Sequence, residues 1–384
     1  MKKAKLILSI VLVLTMVAAF MSGCGSSSQP EAAQAPSTST SSGTASSAPA
    51  STPSEPAPAP AKPVKVCVVM SGMLGDMAYN DKLKEGTDRA EAELGVTVKL
   101  IEAASSADFE SNLISACDGD YDFIICQGSG FLNLLATHAP NYPDKKFAIT
   151  DAIMAQPSPE NVLSIAFAPN EGQFLAGAAM AMLTTRTDFP GINEEKIVGW
   201  ISGTESPNLN DFWAGFEQGV HYIDPDITIL KAFAGSFGDP IKGKELALAQ
   251  YEQGADIIAQ VANRTGLGII EAAEESKLYC IGVDSIQDGL APGYILTSMY
   301  KNIDEGVYAG IKSVVDGTFE GGGFIYMDLA AGGVGLSDFS VFREFWGDQF
   351  PEDIVEECSK LEEMIKSGEI KVNTYPGIRP WENN

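Results

Sequence analysis

From Val64 to Val283, short apolar runs alternate with amphipathic stretches, and this alternation limits the possible folds more than any other feature of the chain. The runs Val64–Met70, Val96–Ile101, Asp122–Cys126 and Lys146–Asp151 read as strands, with a helix over Asp81–Leu94 and another between the second and third strands. The same rhythm returns in Lys196–Ile201, Ile227–Phe233, Asp256–Gln260 and Leu278–Val283, separated by helical patterns over Phe212–Tyr222, Lys242–Gln253 and Gly268–Glu275. A strand that is apolar on both faces must be covered on both faces, and an intervening helix is the connection that brings the next strand in parallel. The body, roughly 320 residues, is longer than one hydrophobic core usually serves. The expectation is therefore an α/β fold of two Rossmann-like lobes, each with a parallel sheet. Two more helices follow from apolar spacing: Ile303, Val307, Ile311, Val314 and Val315, ended by Gly317, and Ile354, Val355, Cys358, Leu361 and Ile365. Both read as packing stripes.

The N-terminal segment has a different character. Met1 to Lys5 is basic, Leu6 to Met21 is almost wholly apolar, and Met21-Ser22-Gly23-Cys24 closes the segment. This is the layout of a secretory signal, and a cysteine directly after the small residues makes it a lipobox. The apolar run, about 16 residues, is short for a membrane span. Cys24 is the expected lipidation site, and each buried methylene of an acyl chain contributes about 0.8 kcal/mol of membrane affinity. The expected location is the extracytoplasmic face of the cell membrane. Residues 25–63, rich in Ser, Ala, Pro and Thr, bury too little apolar surface to offset chain entropy and read as a disordered tether.

Charge and motif searches exclude several functions. With 51 acidic against 25 basic residues the net charge is −26, the wrong sign for nucleic-acid binding. Cys67, Cys126 and Cys280 sit in strand-like runs and read as core filler. Five cysteines besides Cys24 make an odd set that argues against a disulfide framework. His138 and His221 have no partner ligands in sequence, so no metal site is expected. No Gly-x-Ser-x-Gly elbow appears. Gly238 to Glu245 imitates a phosphate loop, but Glu245 stands where Ser or Thr would hold magnesium, and Lys242–Glu245 reads better as a first helical turn. No cofactor and no catalytic constellation are expected, so the chain does not read as an enzyme.

The strand ends carry binding chemistry instead. Ligands of open α/β sheets lie beyond the carboxyl ends of the strands. There the sequence places Asp76-Met77-Ala78-Tyr79-Asn80, Gln127-Gly128-Ser129-Gly130-Phe131, Asn263-Arg264-Thr265-Gly266 and Asp284-Ser285. Each alone is ordinary turn chemistry. Their recurrence at four strand ends suggests a receptor.

These residues also carry a resemblance. The chain resembles the basic membrane protein family of substrate-binding lipoproteins, whose members include purine nucleoside receptors of ABC importers. Asp76-Met77-Ala78-Tyr79-Asn80 is similar to that family's Asp-x-Ser-Phe-Asn, Glu171 to Gly177 to its Glu-Gly-x-Phe-Leu-Ala-Gly, and Gly235 to Glu245 to its Gly-Ser-Phe-x-Asp-Pro-x-Lys-Gly-Lys-Glu. Thr265-Gly266-Leu267-Gly268, Ile281 to Ser285, Ser298-Met299-Tyr300-Lys301 and Gly332 to Leu336 follow in order. The resemblance implies a type I periplasmic-binding fold, with a ligand cleft between the two lobes and three crossovers, near Phe167–Pro169, Ser298–Lys301 and Gly321–Gly323. Lobe 1 would then be 64–168 plus 300–322, and lobe 2 would be 169–299 plus 323–384.

The resemblance further implies that Tyr79 stacks on a base, that Asn80 and Asp76 bond it or anchor the loop, and that Phe212, or its neighbour Trp213, covers the other face. Asp284 and Lys301 would take ribose, and Gly266 would let backbone approach the sugar. Gly128, Asn263 and Arg264 are further candidates. Ala78 and Asn263-Arg264 depart from the family pattern, as does Asn133, where relatives often carry an acidic residue. The implied function is capture of a nucleoside, purine first, by a monomer that delivers it to an ABC permease. The alternatives are a receptor for a sugar or other small polar solute, or a ligand-sensing signalling lipoprotein.

Overall fold

The computed structural model describes residues 62–379, which lie within one compact unit. Cys24 and residues 25–61 of the expected tether fall outside the described residues. Among those described, no helix is long and apolar enough to cross a membrane.

The first half of the body builds β1 (Lys65–Val69), α1 (Tyr79–Leu94), β2 (Thr97–Ile101), α2 (Phe109–Asp118), β3 (Phe123–Gln127), α3 (Leu132–His138), β4 (Lys146–Thr150) and β5 (Val162–Phe167). The second half repeats the plan with α4 (Pro169–Thr184), β6 (Ile197–Ser202), α5 (Pro207–Ile223), β7 (Thr228–Phe233), α6 (Pro240–Glu252), β8 (Ala255–Val261), α7 (Arg264–Ser276), β9 (Tyr279–Asp284) and β10 (Ile295–Lys301). α8 (Ile303–Val315), β11 (Phe324–Met327), β12 (Val334–Leu336), α9 (Ser340–Trp346) and α10 (Glu352–Lys366) complete the body.

Two six-stranded sheets result, ordered β2-β1-β3-β4-β5-β11 and β7-β6-β8-β9-β10-β12. Every pairing is parallel except that of β12 with β10. β1 has Val66 opposite Val98 of β2 on one side and Phe123 of β3 on the other. In each half the first strand lies inside the second and the chain then winds the other way. That reversal leaves a crevice at the strand ends, at a topological switch point. The lobes and parallel sheets are those expected from the sequence, and Cys67, Cys126 and Cys280 are fully buried in the core.

One boundary differs. β11 pairs with β5 in the first sheet, so the third crossover is 328–333, between β11 and β12, and not Gly321–Gly323. The glycines there serve packing: a Cβ on Gly321 would lie 1.9 Å from the Glu160 carbonyl oxygen. The first two crossovers fall at Ala168, between β5 and α4, and Asn302, between β10 and α8. Lys301 ends β10 and so belongs to the second sheet.

Helix α4 was not legible from periodicity. All its residues but Glu171 and Met182 are buried, and a helix apolar all round has no 3.6-residue stripe. It packs directly on α5 through glycines. A Cβ on Gly215 would lie 1.9 Å from the Asn170 carbonyl oxygen, and one on Gly219 would lie 2.0 Å from that of Phe174.

Candidate functional site

A cleft of about 560 Å³ opens where the two switch points face each other, and loops from both lobes line it. Lobe 1 contributes Ser71, Tyr79, Asn80, Phe109, Gly128 and Asp151; lobe 2 contributes Ser206, Asn208, Phe212, Phe237, Asn263, Arg264 and Asp284.

The first loop is built around Asp76. Its Oδ1 accepts from the N–H groups of Ala78 (3.0 Å) and Asp81 (3.1 Å), and its Oδ2 from the Asn80 N–H (3.0 Å) and Asn80 Nδ2 (2.8 Å). A carboxylate at the start of α1 meets otherwise unpaired amide donors and the favourable end of the helix dipole. Burial pushes the Asp76 carboxyl up, and these N–H bonds work against that shift. Asp76 does not line the cleft; of the two roles expected for it, anchoring the loop is the one its bonds support. It sets Asn80, whose Nδ2 also donates to the Met73 carbonyl (3.1 Å) while its buried Oδ1 has no protein partner. Tyr79 is buried, and its hydroxyl lies 3.1 Å from Thr150 Oγ1 at the end of β4.

Beneath the cleft lies Lys301, 1% exposed. Its Nζ is 3.0 Å from Asp151 Oδ2 in lobe 1 and 3.2 Å from Asp284 Oδ1 in lobe 2. Burial alone would push the ammonium pKa down; Asp151 and Asp284 outweigh it and hold it above its ordinary value. Burial also pushes the Asp284 carboxyl up, against the pull of Lys301. The same Nζ stands 5.0 Å from the ring centroids of both Tyr79 and Phe212, so those centroids are at most twice that distance apart. A planar group stacked between two rings needs about 7 Å, two van der Waals contacts of roughly 3.5 Å. Tyr79 from lobe 1 and Phe212 from lobe 2 thus both line the cleft and stand close to one buried ammonium.

The sequence candidates divide on this geometry. Tyr79, Asn80, Phe212, Asp284, Gly128, Asn263 and Arg264 line the cleft. Gly128 has φ +90°, and a Cβ there would sit 3.8 Å from the Tyr79 hydroxyl. Arg264 is exposed at the rim. Four candidates lie elsewhere. Lys301 is under the floor. Trp213 points away: its ring is 5.3 Å from that of Trp200 and takes the Lys231 ammonium at 4.2 Å. It follows Phe212 on a helix, where adjacent residues face different directions. Gly266 is buried in α7 against Gln260, whose Oε1 would be 2.0 Å from a Cβ, so its small size serves that packing and not a sugar. Asp76 is the cap described above.

Asp151, Asn208, Phe109 and Phe237 were missed in the sequence. Asp151 follows β4 as Asp284 ends β9, and the strand-end rule that found one could have found the other. Both have positive φ, +58° and +63°, as does Asn263 at +48°. Non-glycine residues in that region cost of order 1–3 kcal/mol each and gather at ligand sites. The false phosphate loop is a helix start: Asp239 Oδ1 accepts from the Lys242 N–H (3.0 Å), and Pro240 opens α6.

Comparison with known proteins places the chain in a family. Residues 63–375 match the family described as ABC transporter substrate-binding protein PnrA-like, and the chain belongs to that family. Basic membrane protein A of Borreliella burgdorferi is 32% identical over 276 residues, 71% of this chain and 78% of its own. An uncharacterized lipoprotein of Pyrococcus abyssi is 29% identical over 350 residues, covering 82% and 85%. Among solved structures, an ABC transporter system solute-binding protein from Aeropyrum pernix K1 is 30% identical, with a TM-score of 0.75, covering 82% of this chain and 94% of that one. One from Conexibacter woesei, at 22% identity and TM-score 0.62, shares the fold.

Proposed function

We propose that this substrate-binding protein captures a nucleoside, purine first, and delivers it to an ABC permease. The observation that carries the reading is the pair of rings, Tyr79 and Phe212, which line the cleft from different lobes and approach the same Lys301 ammonium. A base is the flat solute such walls favour, each base–aromatic stack contributing about 1–3 kcal/mol. The Asn80 Oδ1 is an acceptor suited to a base N–H. Asp284 can accept from two vicinal hydroxyls, and hydrogen bonds to a charged group contribute about 1.5–3 kcal/mol. Asp151, held by Lys301 and Asn208, presents a second carboxylate from the other lobe.

A thermal-shift panel tests the reading. Adenosine, guanosine or inosine should raise the melting temperature more than the free bases do, by an amount equivalent to about 2.7 kcal/mol at 100 times the dissociation constant. Asp284→Ala should weaken nucleoside binding by about 10- to 150-fold and blunt discrimination against 2′-deoxy analogues. A shift with a hexose and none with any nucleoside would overturn it. The same reading has the protein lipid-anchored through Cys24. Cys24→Ser should then release it from membranes; retention after a high-salt wash would refute the anchor.

A further inference from the structure

Beyond the base slot lies a second compartment, of about 680 Å³. Its walls come from α3, the 151–159 segment after β4, the ends of β5 and β11, and Ile378, and they are mostly apolar: Leu132, Ala136, Met154, Phe167, Tyr326 and Ile378. It shares three residues with the cleft, Ser129, Asp151 and Asn208. Asn208 Nδ2 donates to Asp151 Oδ2 at 2.9 Å, and this side-chain bond lies where the two spaces meet.

We propose that this compartment receives an apolar substituent carried by the base of the bound nucleoside, so that the preferred ligand is a base-modified nucleoside. The proposal rests on the nucleoside reading above. The cleft's volume already lies within the range that encloses a small ligand, about 300–1,000 Å³, which leaves the larger, more apolar space without a task. Tyr79 leads toward it: its hydroxyl reaches Thr150, the neighbour of Asp151, so the ring on which a base would stack ends beside the divider. Asn208 is the movable part of the divider. It lies in the first turn of α5, half-buried, and holds Asp151 through one amide hydrogen. An extended base that turns this side chain aside gains apolar contact with Leu132, Met154 and Phe167. Asp151 keeps its bond to Lys301.

Calorimetry on the full-length chain tests this with adenosine and guanosine and with their derivatives benzylated at C2, C6 or C8. At least one derivative should bind threefold or more tighter than its parent. Ala136→Trp, which puts a bulky ring on the compartment's α3 wall outside the cleft lining, should abolish that gain and keep the parent within twofold. If a parent binds and every derivative gains less than threefold, the compartment has no such role while the nucleoside reading stands. A gain that survives Ala136→Trp sends the substituent elsewhere and also overturns the proposal. If no nucleoside of either kind binds, both fall.

Discussion

The two walls of the cleft are held in opposite ways. The loop that carries Tyr79 is shaped chiefly by its immediate sequence: Asp76 gathers the amides of Ala78, Asn80 and Asp81, and Asp81 in turn accepts from Gly75 and Met77, at 2.8 Å each. Phe212 is fixed by residues far away along the chain. Its neighbour Asp211, fully buried, accepts from Arg379 Nη2 at 2.9 Å, a partner 168 residues distant, and from the Tyr375 N–H at 2.8 Å. Arg379 also donates to Asn170 Oδ1 and to the Tyr326 hydroxyl, both at 2.6 Å, and so ties α4, α5 and β11 together. A locally built wall is a motif that can be read from a string of letters. A wall built from distant pieces is not, and its integrity depends on a buried charge pair.

Breaking that pair should give the largest effect. Arg379→Met takes the guanidinium from a buried carboxylate, a change that costs about 3–5 kcal/mol. Urea unfolding should report the loss, and ligand affinity should fall with it because Phe212 loses its support. A cost under about 1 kcal/mol, the value of a surface pair, would mean the clamp is ornamental.

The second lobe should also carry a distinct pH signature. Asp256, at the second position of β8, is fully buried and accepts from Thr184 Oγ1 at 2.7 Å. Burial raises its carboxyl pKa from 3.8 to about 7, against the pull of that hydroxyl. A pKa raised on folding means the group's contribution is complete below the ordinary value and is lost as pH rises through about 7. Stability should therefore decline between about pH 4 and 7 by up to about 4 kcal/mol on this account, and Asp256→Asn should flatten that part of the profile. Parallel melting-temperature profiles for parent and variant would contradict the assignment.

The smallest effect belongs to the local wall. Asp76→Ala removes a helix-start acceptor, which costs about 0.5–2 kcal/mol. Amide exchange should accelerate over 75–81 while the second lobe's protection is unchanged. If Asp76→Ala costs as much as Arg379→Met, the contrast between the walls disappears.

The same contrast explains what the sequence disclosed. The Tyr79 loop, Asp284 and Arg264 stand at strand ends within recognisable runs, so strand–helix alternation located them. The Asp76 cap was half-read, because a carboxylate before a helix and a carboxylate before a ligand look alike in sequence. Trp213 and Gly266 were drawn toward the cleft by their neighbours and by the family pattern; helix direction and the packing of Gln260 turn them away. Arg379, Asn208 and α4 left no local trace. Their roles come from tertiary placement, and in α4 burial on every side erases the stripe that would have betrayed a helix.

The glycine contact between α4 and α5 has a mechanical consequence. α4 begins one residue after the Ala168 crossover, and α5 carries Asn208 and Phe212. At Gly215 and Gly219 backbone meets backbone, so at these points no side chain lies between the helices to flex or repack. Any rotation begun at the crossover should therefore pass to Phe212 with little loss, as a crank turns its shaft.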